Sequence, residues 1–429
     1  MFYFLFVAYQ LLQLVLLPIL PPIIALGQYR RLKRGSYWHK SRLGLIPACP
    51  RDKKILWIHA VSVGEALSVQ ELIRLIKHEN PTVWCHLTVG TTSAHKIALS
   101  QIPADSISFL PYDLFPCMLL GYWQIQPHTL IVVEGDLWPN LIMFAKVFNV
   151  PAFLLNARIS KRSEGRFRQL APLISTMLNT FNHIFTQSSA ERDRFISIGV
   201  DSARLSALGD IKTFNVVAKK EALPTIPSAS QTFDVLLAGS IHPEEELVYL
   251  TLFNALKSTF PKLKLILAPR HFHWRSTLEQ KITAAGLTYG VWDERSINFN
   301  LTTELEKHDV VAVCKMGELF KLYPHATLFY LGGTFVPVGG HNLLEPAVWG
   351  IPSIVGPYRA FCAATLEELL KHDAARGVQT EAELLSMSRE LLNNHTLAER
   401  LGTHAQQWTK KEAQQVYTTL RQSLLTDLF

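Results

Sequence analysis

The chain has 429 residues, of which 48% are hydrophobic and 18% are charged. It is therefore too long for one ordinary core and too apolar for a disordered or fibrous protein, and we expect two domains. Lys and Arg outnumber Asp and Glu by 42 to 35, which favours anionic partners. The five cysteines form no C-x-x-C pair and indicate neither a disulfide framework nor a zinc site.

The N-terminal segment, residues 1–27, contains no charged side chain and is rich in Leu, Ile, Val, Phe and Tyr, so it predicts a membrane anchor. The basic residues that follow are Arg30, Arg31, Lys33, Arg34, Lys40 and Arg42. They place the bulk of the protein on the cytoplasmic side and would bind anionic lipid. Because Pro18, Pro21 and Pro22 would kink or end a helix, a spanning helix and a monotopic insertion both remain open.

From Lys53 onward short apolar runs alternate with amphipathic stretches, which predicts an α/β fold of buried strands and surface helices. The predicted strands cover residues 54–61, 83–90, 106–113, 129–136, 150–157, 183–189, 234–240, 263–271, 309–314, 327–333 and 352–357. Residues 216–232 hold two prolines and no sustained period, which predicts a linker. We therefore expect two Rossmann-like domains, 28–215 and 233–429, facing each other across a cleft, with a last helix that could return to the first domain.

The first predicted strand leads directly into Ser62-Val63-Gly64-Glu65, and the helix that follows is expected to run from Gly64 to Asn80. Ligands of α/β sheets bind at the carboxyl ends of parallel strands, so Glu65 is a candidate general base. The alternative is structural, because the helix dipole stabilises an acidic residue in the first turn whatever its chemistry.

The fourth predicted strand ends in Glu134-Gly135-Asp136. Two carboxylates at this spacing are found in the metal sites of some transferases, but an isolated E-x-D pattern is weak evidence. Capping of the next helix by Asp136, with Pro139 in its first turn, explains the pattern without a metal. The sequence therefore predicts no metal and no other cofactor.

Two polar motifs follow predicted strands in the second half. Arg270 and His271 end the strand at 263–271 and are compatible with phosphate. The glycine-rich stretch from Gly332 to Ala347 leads from a strand into a helix, and the backbone N–H groups of such a turn can cradle phosphate. It matches neither G-x-G-x-x-G nor the P-loop, so the pattern leaves the nucleotide open.

Seven motifs in order resemble the Kdo (3-deoxy-D-manno-octulosonic acid) transferases of lipopolysaccharide biosynthesis in Gram-negative bacteria. They are WIHAVSVGE, EGDLWPN, NARIS-x-RS, GDIKTFN, LAPRH, KMGEL and GGHNLLEPA, and they span nearly the whole chain. The resemblance implies a GT-B architecture and inverting, metal-free transfer of Kdo from CMP-Kdo to a lipid A precursor, lipid IVA. It also implies a place at the bacterial inner membrane.

The resemblance assigns the acceptor to the N-terminal domain and CMP-Kdo mainly to the C-terminal domain. Glu65 becomes the general base that takes a proton from an acceptor hydroxyl as its oxygen attacks C2 of Kdo. Glu134, Arg158 and Ser160 become acceptor-side residues. The residues implied for the donor are Lys212, Arg270, His271, Met316, Gly317, Glu318, Gly340, His341, Asn342 and Glu345.

The chain departs from the family pattern at three places. Phe272-His273-Trp274 follows LAPRH where Pro-Glu-Arg is more usual, Lys315 precedes MGEL where threonine is common, and Asp210 stands where many relatives have asparagine. These differences affect individual donor contacts and leave Glu65 unchanged.

Two other functions fit the same architecture. A nucleotide-sugar epimerase or hydrolase would need no lipid acceptor, so the apolar N-terminus argues against it. A non-catalytic, membrane-tethered binding protein would be favoured by loss of Glu65 or of the glycine-rich turn, and both are present. No nucleic-acid recognition motif accompanies the basic residues.

Overall fold

The computed structural model describes residues 1–16, 18, 19, 22, 26, 27, 29, 37–135, 137–159, 161–223, 233–297 and 299–425, without the side chains of 161–163 and 423–425. The chain divides into two compact units. The first comprises Met1–Asn215 with Ala413–Phe429, and the second comprises Val216–Glu412.

The first unit is built on a parallel sheet of seven strands in the order β3-β2-β1-β4-β5-β6-β7. The strands are β1 (Ile55–Ala60), β2 (Trp84–Val89), β3 (Ser106–Phe109), β4 (Thr129–Val133), β5 (Ala152–Ala157), β6 (His183–Thr186) and β7 (Leu205–Ala207). Every residue of β1, β4 and β5 is buried, as expected for strands covered on both faces. The six strands predicted in this half are confirmed, and β7 is an additional short edge strand.

Helices cover both faces of this sheet. They are α1 (Phe2–Leu16), α2 (Val63–Ser68), α3 (Gln70–Glu79), α4 (Thr92–Gln101), α5 (Phe115–Ile125), α6 (Pro139–Val147), α7 (Lys161–Gln169), α8 (Ala171–Leu178), α9 (Ser189–Ser197) and α10 (Ile211–Glu221). The single helix expected from Gly64 to Asn80 is two helices, because the backbone at Val69 leaves the helical region with φ −96° and ψ 2°. Residues 216–221, predicted as linker, continue α10, and residues 224–232 lie outside the described residues.

The second unit has its own parallel sheet of seven strands in the order β10-β11-β9-β8-β12-β13-β14. The strands are β8 (Val235–Ile241), β9 (Lys264–Pro269), β10 (Tyr289–Trp292), β11 (Val310–Val313), β12 (Leu328–Leu331), β13 (Ser353–Val355) and β14 (Arg376–Gly377). The helices are α11 (Glu245–Lys257), α12 (Arg275–Ala284), α13 (Leu301–Lys307), α14 (Leu319–Leu322), α15 (Leu344–Trp349), α16 (Ala363–Lys371), α17 (Glu381–Asn393) and α18 (His395–Thr419). The five strands predicted here are confirmed, and β10 and β14 are additional.

In each sheet the order of the strands reverses direction next to the first strand of the unit. The reversal falls between β1 and β4 in the first sheet and between β8 and β12 in the second. In open α/β sheets the crevice outside such a switch point is where ligands bind. Each unit therefore has a binding position at the carboxyl ends of its two central strands.

Helix α1 attaches to the first unit through its polar side chains. The Tyr9 hydroxyl donates to Asp113 Oδ2 at 2.8 Å, Gln10 Nε2 donates to Asn140 Oδ1 at 2.7 Å, and Gln13 Nε2 donates to the Asp113 carbonyl at 2.8 Å. Burial raises the pKa of the Asp113 carboxyl to about 6. Among the helices that the structure describes, none is long and apolar enough to cross a membrane, and the anchor expected over residues 1–27 falls partly outside the described residues.

Replacing each of two helical glycines by alanine is expected to change the stability in opposite directions. A Cβ on Gly402, in α18, would lie 1.9 Å from the Gly350 carbonyl oxygen, whereas one on Gly165, in α7, would meet nothing within 4 Å. We expect Gly402→Ala to lower the free energy of unfolding by about 1–3 kcal/mol. Gly165→Ala is the matched control and should raise it by roughly 0.5–1 kcal/mol, because alanine is the better helix former. Urea denaturation of both variants checks this, and equal midpoints would contradict the Gly402–Gly350 contact.

Candidate active site

In the first unit, Glu65 lies at the start of α2, directly after the central strand β1. Its Oε2 accepts a hydrogen bond from the Val61 N–H at 2.7 Å, and its Oε1 accepts one from the Ser62 hydroxyl at 2.9 Å. The Glu65 N–H in turn donates to Ser62 Oγ at 3.3 Å. This reciprocal pattern is a capping box, which satisfies two N–H groups at the helix start.

The Glu65 carboxylate thus has a structural role at the helix start, as the alternative interpretation expects, and this role is compatible with a chemical one. Hydrogen bonds from Val61 and Ser62 hold the carboxylate in one orientation. The side chain is only partly buried. A carboxylate held in this way at the end of a central strand is suited to receive a proton from a bound hydroxyl.

Glu134 follows β4, the neighbour of β1 across the switch point. It is 8% exposed and has a left-handed backbone, with φ +64°, which is uncommon for a residue other than glycine. Its Oε1 accepts from Lys212 Nζ at 2.9 Å and its Oε2 accepts from Arg158 Nη2 at 3.0 Å. The structure thus brings together Glu134 and Arg158, which the sequence assigned to the acceptor, with Lys212, which it assigned to the donor.

Asp210 adds a second carboxylate to this cluster. Its Oδ1 accepts from the Lys212 N–H at 3.0 Å. Burial raises the pKa of Asp210, while Lys212 opposes that rise and Glu134 adds to it. Two carboxylates therefore face two cations, and Arg158 keeps 54% of its side chain exposed for a further anion.

Further predictions for this edge of the sheet concern Asp136, Pro139, Ser160 and a metal site. The N-cap of α6 is Trp138, and Asp113 Oδ1 accepts from the Asn140 N–H at 3.0 Å. The capping predicted for Asp136 stays a prediction. Pro139 occupies the first turn as predicted. Asp136 itself and Ser160 lie outside the described residues. In the described part of the chain no group of three or more His, Cys, Asp or Glu side chains converges as a metal site would.

In the second unit, Glu245 is the residue that organises the switch point. Its side chain is fully buried at the start of α11. Its Oε2 accepts from the N–H groups of His242 at 3.1 Å and Gly333 at 2.7 Å. Its Oε1 accepts from those of Thr334 and Phe335, both at 2.9 Å. One carboxylate therefore joins the end of β8 to the glycine-rich exit of β12.

Several N–H groups of the glycine-rich stretch are used within the protein. The N–H groups of residues 333–335 donate to Glu245, and those of Gly339 and Gly340 donate to the Gly333 carbonyl at 2.9 and 2.8 Å. Gly340 has φ +81°, and a Cβ there would lie 2.7 Å from Cys362 Sγ, so glycine is required for packing. The phosphate cradle predicted at the start of α15 stays a prediction, and side chains beside these turns are further candidates for recognising an anion.

Those side chains are histidines and an arginine. His242, after β8, and His341, in the glycine-rich turn, approach with their Nε2 atoms 2.8 Å apart. The ring of His271, after β9, lies 6.0 Å from that of His242, and Arg270 precedes it. Burial lowers the pKa of His341 to about 4, with further lowering by the positive charges of Arg270, His242 and His271. The structure thus brings together three residues predicted for the donor, Arg270, His271 and His341.

The remaining predicted donor residues lie on two other turns. Glu345 Oε1 accepts from Lys219 Nζ at 3.3 Å, and its Oε2 lies 3.5 Å from the Tyr323 hydroxyl. Asn342 Oδ1 accepts from the Leu344 N–H at 2.9 Å and fixes the turn that enters α15.

The turn after β11 carries three of the predicted donor residues. Met316 is 66% exposed, Gly317 has φ +84°, and Glu318 forms an ion pair with Lys321 at 3.0 Å. The ion pair of Glu318 thus links this turn to α14.

Sequence reasoning missed His242 and Glu245. Both follow β8 as Glu65 follows β1, so the rule that singled out Glu65 would have singled them out too. What the sequence could not supply is the partner of Glu245, because its four N–H donors come from two strands nearly ninety residues apart.

The chain is similar to known proteins over most of its length. A family model described as 3-deoxy-D-manno-octulosonic-acid transferase (kdotransferase) matches residues 38–215. A 3-deoxy-D-manno-octulosonic acid transferase of Aquifex aeolicus is 32% identical over 344 residues, covering 80% of this chain and 87% of the relative. The enzyme of the same name from Chlamydophila psittaci is 30% identical over 356 residues, covering 81% and 80%.

The architecture is also shared with solved structures of low sequence identity. UDP-GlcNAc 2-epimerase from Neisseria meningitidis aligns with 85% of this chain and all of its own, with a TM-score of 0.57 and 12% identity. At that identity the match shows the fold, two Rossmann-like domains of the GT-B type, and carries no information on the reaction.

We expect Glu245→Gln to destabilise the second unit by about 2–3 kcal/mol. Whichever way the amide is placed, its NH2 group faces two N–H donors that lose their acceptor in a buried position. Urea denaturation measures the loss, and hydrogen exchange should accelerate at Gly333, Thr334 and Phe335. Glu244→Gln is the matched control, because its side chain is 73% exposed. Equal stability of the two variants would contradict the role given to Glu245.

Proposed function

The chain belongs to the 3-deoxy-D-manno-octulosonic acid (Kdo) transferase family, and we propose that it transfers Kdo from CMP-Kdo to the lipid A precursor lipid IVA with inversion at the anomeric carbon. The observation that carries the mechanism is the carboxylate of Glu65, held at the end of β1 by Val61 and Ser62. The first unit takes the acceptor and the second unit mainly takes the donor.

Glu65 acts as the general base. The Glu65 carboxylate accepts the proton of an acceptor hydroxyl while the hydroxyl oxygen bonds to C2 of Kdo. The bond from C2 to the phosphate oxygen breaks at the same time, and its electron pair leaves with CMP. A single displacement of this kind inverts the configuration at C2.

Fixed cations carry the charge of the two anionic groups of the donor, its carboxylate and its phosphate. Arg158 and Lys212 are held beside Glu134 by hydrogen bonds of 3.0 and 2.9 Å, which keeps both cations in place while reducing their mutual repulsion. Arg270 is exposed at the end of β9 and adds a charge in the second unit. Preorganised groups of this type stabilise a transition state without the cost of reorganisation, and we propose that no metal takes part.

The lipid acceptor requires contact with a membrane, and the exposed face of α1 supports an in-plane attachment. Its polar residues Tyr9 and Gln13 turn toward the body of the first unit, which leaves apolar side chains outward. The exposed ones are Tyr3, Phe4, Val7, Leu11, Leu12, Leu14 and Val15, each more than half exposed. A helix with this orientation lies in the bilayer interface with its apolar face in the lipid.

Neighbouring elements extend this apolar surface. The Phe6 ring of α1 contacts Phe144, which also contacts Phe115 and Phe148, and the last two are 40% and 46% exposed. The basic residues of 30–34, whose structure lies outside the described residues, would add roughly 1 kcal/mol each on an anionic membrane. We propose attachment to the cytoplasmic face of the bacterial inner membrane.

We expect Glu65→Gln to abolish transfer while leaving the fold intact. Glutamine preserves both capping-box hydrogen bonds but is a very poor base, so turnover should fall by about 10²–10⁴-fold. Product formation on a tetraacylated lipid A precursor in detergent, with CMP-Kdo generated in place, measures the loss.

Ser62→Ala is the matched control for this experiment. It removes the capping hydroxyl and should cost about 1 kcal/mol of stability, yet it keeps the carboxylate and should keep most of the activity. Transfer by Glu65→Gln at the native rate would rule out the base, and loss of native product in EDTA would rule out the metal-free reaction.

We expect the double variant Leu11→Glu with Leu14→Glu to weaken binding to vesicles by at least tenfold. The two leucines are 57% and 65% exposed, so the change removes apolar contact with lipid without emptying a core. Co-sedimentation with vesicles of phosphatidylethanolamine and phosphatidylglycerol measures the binding. Ile297→Glu, at an 87% exposed position of the second unit, is the control. Equal vesicle binding by the double variant and the native chain would contradict the orientation of α1.

A further inference from the structure

The imidazoles of His242 and His341 form a directly hydrogen-bonded pair. Their Nε2 atoms are 2.8 Å apart, their ring planes differ by 6°, and their centroids are 5.1 Å apart. Two nearly parallel rings at these two distances lie end to end, as an N–H···N hydrogen bond between the Nε2 atoms requires. One ring donates and the other accepts.

This bond fixes how many protons the pair can hold. A neutral imidazole has one N–H, so in the neutral pair one Nε2–H fills the bond and only the accepting ring has an Nδ1–H. One added proton keeps the bond and provides an Nδ1–H on both rings. A second would set two Nε2–H groups against each other and break the bond. The pair is therefore built to take up a single proton.

The surroundings keep the pair neutral when no anion is present. Burial lowers the pKa of both histidines, that of His341 to about 4, and the charges of Arg270 and His271 lower them further. Glu245 opposes this effect at His242. A bound anion would act in the opposite sense to Arg270, and would raise the proton affinity of the pair.

The position of the pair is set by the buried carboxylate already described. Glu245 accepts from the His242 N–H at 3.1 Å and from the Gly333 N–H at 2.7 Å. A Cβ on Gly333 would lie 3.4 Å from the His341 ring, so the turn packs directly against it. Because the N–H groups of residues 333–335, 339 and 340 are already used, imidazole N–H groups are among the donors left for a phosphate.

We propose that the His242–His341 pair takes up one proton as the phosphate of CMP-Kdo binds and gives it to that phosphate as the bond to Kdo breaks. This inference rests on the proposed function. The acceptor proton goes to Glu65, the electron pair of the C2–O bond goes to the phosphate oxygen, and the pair supplies a proton to that oxygen. CMP then leaves as a monoanion and the pair returns to its neutral form.

The test is calorimetric titration of the full chain with CMP, the product, in two buffers of different ionisation enthalpy. The difference between the buffers counts protons taken up on binding. At about pH 6 the native protein should take up between roughly one half and one proton per CMP, and the uptake should fall toward zero by about pH 8. Affinity should weaken by up to tenfold per pH unit over the same interval.

Three variants test whether the proton is taken up by the His242–His341 pair or by a neighbouring group. The double variant His242→Gln with His341→Gln should lose the proton uptake that exceeds titration of the CMP phosphate itself, and its affinity should then follow only that phosphate, whose second pKa is about 6. His242→Gln alone should reduce the uptake, because His242 acts through His341 as a positioning residue. His273→Gln is the matched control, since His273 lies on the neighbouring exposed turn beside His271 and should leave the uptake unchanged.

The outcomes distinguish this inference from the proposed function. CMP binding without proton uptake by the native protein overturns the role of the pair and leaves the transferase proposal standing. Uptake beyond that of the CMP phosphate itself that persists in the double variant also overturns it, because the proton then goes elsewhere. Failure of the folded native chain to bind CMP overturns the proposed function and this inference with it.

Discussion

The buried carboxylate of Glu245 is the interaction on which the second unit depends. Four backbone N–H groups from the ends of β8 and β12 converge on it, and a buried N–H without an acceptor costs about 1–3 kcal/mol. Without this anion the two central strands could not end in such close turns. The positions of His242 and His341 follow from it.

In the first unit, the groups at the ends of the central strands are paired by a different arrangement. At its switch point Glu65 satisfies the start of α2, while Glu134 bridges two cations rather than a row of N–H groups. Both units thus place carboxylates directly after central strands, where the converging strand ends and helix starts favour negative charge. In the second unit that charge is fully buried, whereas Glu65 is only partly buried and Glu134 is 8% exposed.

The sequence predicts most of the fold because the strands of a doubly covered parallel sheet read as continuous apolar runs. It misses β7, β10 and β14, which include both edges of the second sheet, because these strands are only partly buried and contain Ser, Gly or Arg instead of a continuous apolar run. It finds Glu65 because this residue closely follows an apolar run that predicts a buried strand. It misses Glu245, because the N–H partners of that carboxylate are fixed only by tertiary packing.

Several charged groups lie close together in the first unit. Two unit charges 4 Å apart interact by about 4 kcal/mol at an effective dielectric constant of 20, so unbalanced cations would drive the site apart. Glu134 between Arg158 and Lys212 removes that repulsion with one residue. The histidine pair avoids repulsion from Arg270 in a different way, because it stays neutral beside that cation. It becomes charged only when a bound anion balances the charge. The first unit thus holds fixed charge beside Glu134, and the second holds a pair whose charge depends on a bound anion.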